Sequence, residues 1–73
     1  MMKHIDIKVA DDEKEYKEYG SLYSFAEARL NTEIRKIESK HAHKKVSVCS
    51  VTEDWSMNHR RTLTLSVWVQ IAA

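Results

Sequence analysis

The sequence predicts an α+β fold of order β-α-β-β, with one helix packed on a three-stranded, mainly antiparallel sheet. Three observations carry that reading. Arg61–Ile71 alternates without a slip, placing Leu63, Leu65, Val67, Val69 and Ile71 on one face and Thr62, Thr64, Ser66, Trp68 and Gln70 on the other. Lys3–Ala10 alternates in the same way, with Ile5, Ile7 and Val9 together. Between them runs a stretch with helical rather than alternating periodicity. A period of two marks a half-buried strand, and a period near 3.6 marks a helix with one apolar side.

The last stretch is the most apolar, rich in β-branched residues and free of Gly and Pro, which places it at the centre of the sheet. The first strand is covered on one side only. Asp11–Tyr19 is highly charged; Asp11 or Asp12 is placed to cap a short helical turn, and Tyr16, Tyr19 and Tyr23 recur at helical spacing. Gly20, the single glycine, suits a left-handed residue ending that turn, with an irregular loop as the alternative for this segment. Ser24-Phe25-Ala26-Glu27 matches a capping box, so the main helix is expected from there to about Lys40. Ala26, Leu30, Ile34, Ile37 and His41 form its apolar stripe, and Arg29, Glu33 and Lys36 stand at ion-pairing distances on another side.

Lys45–Trp55 reads as the second strand, with Val51 out of phase with Val46 and Val48. A bulge near Cys49-Ser50 restores the alternation; the alternative is a strand with partly apolar faces on both sides. Ser56–Arg60 is the hairpin loop into the last strand. A right-handed crossover makes the first two strands parallel, and the third fits between them antiparallel to both, giving the order 1-3-2.

Seventy-three residues make a single domain, 1–73. No apolar run has the length to span a bilayer and no charged-then-apolar leader opens the chain, so the expected location is cytoplasmic. One cysteine, Cys49, excludes an internal disulfide. A net charge of +1 supplies no bulk drive toward nucleic acid. A chain this short without disulfide or metal is marginal as a monomer, and burial against another subunit is the simplest remedy.

The single glycine excludes a P-loop, a dinucleotide fingerprint and a nucleophile elbow in their usual forms. His41-x-His43, with Cys49, His59 and His4 elsewhere, offers only one closely spaced ligand pair where a structural zinc site uses two, so no metal is expected. Glu53 and Asp54 are strand neighbours on opposite faces and cannot share one substrate. No catalytic constellation emerges, and the chain reads as a non-enzyme without a cofactor.

Two basic patches, Arg60-Arg61 and the cluster Lys40, His41, Lys44 and Lys45, fall at opposite ends of the sheet and make no continuous stripe for nucleic acid. Arg60 and Arg61 belong beside the acidic Asp11–Glu18 segment, because the first strand ends where the hairpin turns. The sheet face away from the helix carries His4, Asp6, Lys8, Ser47, Thr62, Thr64, Ser66, Trp68 and Gln70. A row of hydroxyls is easily solvated, which favours a plain water-facing surface, whereas Trp68 among small polar residues has the character of an interface anchor. The candidate binding residues are therefore Trp68, Thr64, Ser66, Thr62, Gln70, Trp55, Arg60 and Arg61.

The order β-α-β-β and a long final strand opposite one helix resemble dodecins, small oligomeric flavin-binding proteins, and small phage-encoded inhibitor proteins. The first resemblance implies an oligomer with a tryptophan stacked on flavin. The nearest candidates, Trp55 and Trp68, stand in no matching local motif, so no functional residue is carried over. The resulting expectation is a non-catalytic homo-oligomer, at least a dimer, acting through protein–protein contacts as an accessory or inhibitory protein of phage or mobile-element type. Its partners are itself and a host or partner protein. The alternative is a flavin- or nucleotide-binding oligomer. Nucleic-acid binding comes third, and membrane binding is not expected.

Overall fold

The computed structural model describes residues 1–42 and 44–72. Its centre is β3, Thr62–Ile71, which pairs antiparallel with β1, Met2–Ala10, on one side and with β2, Val46–Ser56, on the other. The order is β1-β3-β2, as the alternation predicts. Leu63, Leu65, Val67, Val69 and Ile71 are all buried, so the central strand supplies a third of the buried apolar side chains. On β1, Ile5 lies opposite Val67, Ile7 opposite Leu65 and Val9 opposite Leu63. Direct partners in an antiparallel pair share a face, which brings both apolar sets under the helix.

β2 carries the expected bulge. Its register with β3 slips between Val48 and Ser50, leaving Cys49 as the extra residue. Val48 then lies opposite Val69 and Val51 opposite Val67, both on the helix side of the sheet. The bulge thus repairs the phase error visible in the sequence.

The helix corrects two expectations. It is α2, Leu22–Lys40, and it begins ahead of the Ser24 capping box. Ser21 is the N-cap: its extended backbone precedes the first turn, and its Oγ accepts from the Ser24 N–H at 3.1 Å. Starting earlier lets Leu22 and Phe25 enter the core, so the buried stripe is Leu22, Phe25, Ala26, Leu30 and Ile37, with Ile34 only partly buried. Adding two large apolar side chains to the core outweighs the Glu27 half of a capping box. At the other end, the chain leaves the helix through Ala42 at φ 55°, a left-handed position where glycine is the usual residue.

Before α2 stands α1, Tyr16–Tyr19, a single turn closed by Gly20 at φ 74° with its N–H on the Tyr16 carbonyl. Asp11 and Asp12 do not cap it, and the preceding Glu15 makes no capping bond either. The two aspartates take arginines instead: Arg60 reaches both carboxylate oxygens of Asp12 at 2.9 and 3.0 Å, and Arg61 reaches Asp11 at 3.1 Å. This is the ion pairing expected where β1 ends beside the hairpin.

α2 does not sit centrally. It packs mainly on β1 and β3, and it reaches β2 near its carboxyl end, where Glu38 accepts the Val46 N–H at 3.3 Å. The molecule is accordingly a slab of 42 × 21 × 14 Å. Its radius of gyration is 13.3 Å, where a compact chain of this length has about 11 Å. Its accessible surface is 5146 Å², where a folded monomer of this mass exposes about 4,700 Å².

Candidate interaction surface

Two surfaces result from the off-centre helix. The first is the open face of the sheet. Trp68 lies in mid-strand opposite His4 on β1 and Ser50 on β2, and it points away from α2. The His4 ring leans on the indole with centroids 4.8 Å apart and planes tilted by 42°. His4 Nε2 is 2.6 Å from Ser66 Oγ and 3.4 Å from Asp6 Oδ1. Thr64 and Ser66 are half-covered between neighbouring strands and Thr62 is buried at the closed end, while Gln70 is exposed. This face is a small-residue floor with one aromatic, already flanked by an imidazole on one side.

The second surface was not legible as a site in the sequence. On the helix side of the sheet, β2 carries Val46, Val48, Val51, Glu53 and Trp55. Only Val46 is buried. Val48, Val51 and Trp55 remain 47%, 45% and 49% exposed, although each faces the same way as a fully buried residue of β3. The Trp55 indole N–H donates to Glu53 Oε1 at 3.0 Å, which holds the ring on this face. Met57, in the hairpin, is also exposed. The result is an apolar stripe along an eleven-residue edge strand whose outer backbone groups have no strand partner among the described residues.

Trp55 and Trp68, both candidates from the sequence, are thus on opposite faces of the sheet and form no single platform. Arg60 and Arg61 sit at the hairpin end and are tied to Asp12 and Asp11, with Arg61 also donating to the Tyr16 hydroxyl at 3.3 Å. The Asp12 hydrogen bond raises the Arg60 pKa above its ordinary value, and the Asp11 hydrogen bond does the same for Arg61. Both guanidinium groups are therefore occupied locally rather than offered as an anion site.

A shallow cleft also lies between α1 and α2, lined by Tyr19, Phe25, Arg29, Thr32 and Lys36. Its cations are spent internally. Arg29 stacks over Phe25 at 4.8 Å and pairs with Glu13 and Glu15, rather than with the helical neighbour Glu33. Lys36 takes Glu33 at 3.3 Å. His41, Cys49, His59 and His4 form no ligand cluster among the described residues, and His43, half of the His41-x-His43 pair, lies outside them.

No protein-family model, curated protein or solved structure matches this chain. Among the described residues, no helix is long and apolar enough to cross a membrane. The functional reading therefore rests on the two surfaces themselves.

Proposed function

We propose that this protein acts by binding, as a homo-oligomer, through the β2 half of its sheet. The single observation that carries the reading is the half-exposed stripe Val48–Val51–Trp55, on the side of the sheet where the alternating apolar residues of β1 and β3 are buried. Leaving such a surface wet forfeits roughly 25 cal/mol for each Å² of apolar area that a partner removes from water. An edge strand with free backbone groups adds directional hydrogen bonding to that drive. Aromatic residues in such a setting are the usual anchors of an interface, and Trp55 occupies that place here. Binding without turnover is compatible with an accessory or inhibitory role toward another protein, with self-assembly providing the scaffold.

The Trp68 face is the second surface to test, for another subunit or for a planar ligand stacked on the indole. Its open floor of Thr64 and Ser66 favours that reading, while the His4 ring already leaning on Trp68 takes up part of the stacking surface.

Sedimentation at micromolar concentration tests the proposal. The native protein is expected to run larger than a monomer. Trp55→Ser is expected to weaken assembly by about 2 kcal/mol or more, the loss typical of an interface anchor, whereas Trp68→Ser leaves assembly unchanged if the open face is free. A native protein that sediments as a monomer overturns the reading. A protein that loses assembly with Trp68→Ser but not with Trp55→Ser moves the interface to the open face.

A further inference from the structure

We infer that the occupant of the β2 surface is β2 of a second copy of this chain, running antiparallel across a two-fold axis at the Cys49–Ser50 bulge. This rests on the assembly reading above and specifies its partner and register. Two further observations, the charges along β2 and its bulge, lead to it.

The first is charge. β2 is preceded by Lys44 and Lys45, and it carries Glu53 and Asp54 near its other end, ahead of Trp55. All four charged residues are exposed, and the strand is basic at one end and acidic at the other. Any two-fold axis that reverses the strand sets the basic end of one copy against the acidic end of the other. Opposite charges directly across a strand pair favour that pairing, and like charges oppose it. The other outer strand lacks this property. Reversing β1 about its middle sets Asp6 against itself and His4 against Lys8.

The second is the bulge. If Cys49 and Ser50 are counted as one position, the faces that the flanking residues present read symmetrically about it, although Val46 then maps onto Glu53. Val48 maps onto Val51, both on the helix side, and Ser47 maps onto Thr52, both on the open face. Lys45, whose carbonyl accepts the Ala72 N–H and so prolongs the ladder by one residue, maps onto Asp54, which shares the open face by alternation. A bulge in an edge strand ordinarily discourages pairing with a straight strand. A second copy brings the same kink to the same place. The bulge therefore selects for self over an arbitrary strand, and the charges fix the direction.

Charge reversal tests the register on the full chain. Lys45→Glu alone sets two carboxylates against each other twice in each dimer, and Asp54→Lys alone does the same with two ammonium groups. Each variant is expected to weaken self-association about ten-fold or more in sedimentation, in keeping with facing like charges at an interface. Mixing the two single variants is expected to restore a heterodimer, because both contacts then join opposite charges. Lys45→Glu combined with Asp54→Lys in one chain restores the homodimer. These recoveries exclude misfolding as the cause of the losses. The single cysteine gives a second readout: a short bis-maleimide is expected to join Cys49 to Cys49 in the native protein and not in either single variant. A native oligomer that ignores both reversals, or that gives no Cys49 cross-link, overturns the β2 register while leaving the assembly reading intact. A native monomer overturns both.

Discussion

β1 and β2 are both outer strands, both antiparallel to β3 and both with apolar residues on the helix side, yet they have opposite fates. β1 buries Ile5, Ile7 and Val9 to 9%, 3% and 0% exposure under α2. β2 presents Val48, Val51 and Trp55 on the same side of the sheet and leaves each about half exposed. The difference comes from where the helix lies, which is over β1 and β3. Arg29 on its first half reaches the Lys8 carbonyl and the Glu13 and Glu15 carboxylates beside the end of β1. One helix is about 10 Å across and strands are about 4.8 Å apart, so a helix drawn to the β1 edge covers two strands of three. An alternating strand therefore records which side can be buried, and the placement of the covering element determines whether it is.

The largest effect that sharpens this contrast is a pair of core truncations. Ile7→Ala on β1 is expected to cost about 2–5 kcal/mol, the range for a buried aliphatic side chain. Val51→Ala on β2 should cost below about 0.5 kcal/mol in the dissociated chain. Urea denaturation at low and high protein concentration reads both. Equal losses at low concentration would mean that α2 covers both outer strands.

A smaller effect tests how the helix is anchored at its start. Ser21→Ala removes the side chain that accepts the Ser24 N–H and is expected to lower stability by about 1 kcal/mol. Ser24→Ala leaves that acceptor in place and should cost only about a few tenths of a kcal/mol. If thermal melts show the reverse ranking, the helix starts at the capping box and its contact with β1 is shorter.

The smallest expected effect concerns the hairpin end, which the two outer strands share. The Arg60–Asp12 and Arg61–Asp11 pairs are exposed, so adding salt should weaken them, and Arg60→Ala should shift the melting temperature only slightly. The sign of the pH effect follows from the raised arginine pKa values. A raised folded value gives a contribution fully present below the unfolded pKa and lost only as pH climbs through the folded one. Both values lie beyond ordinary buffers, so raising the pH from about 6 to 10 leaves the guanidinium side of these pairs charged. A fall in stability over that range that disappears in Arg60→Ala and Arg61→Ala would contradict this.

What the sequence determined was local and periodic. The alternation of Lys3–Ala10 and Arg61–Ile71 specified two strands and their buried faces, and the phase error at Val51 left a bulge near Cys49-Ser50 or a strand apolar on both faces, of which the structure has the bulge. Gly20 suited the end of a short turn where a loop was the alternative, and the order of elements placed Arg60 and Arg61 near the acidic Asp11–Glu18 segment, where the structure pairs them with Asp12 and Asp11. These features depend on neighbours in the chain or on one strand pairing, which residue spacing encodes directly. The helix start was not determined in this way, because Ser21 and Ser24 are both competent caps and burial of Leu22 and Phe25 chooses between them. The exit through Ala42 likewise has no glycine to announce it. The exposed flank of β2 belongs to the tertiary structure altogether. Once the bulge restores their phase, Val48 and Val51 face the same side of the sheet as Ile5 and Ile7, and the lateral position of α2 over β1 and β3 separates the buried pair from the exposed one.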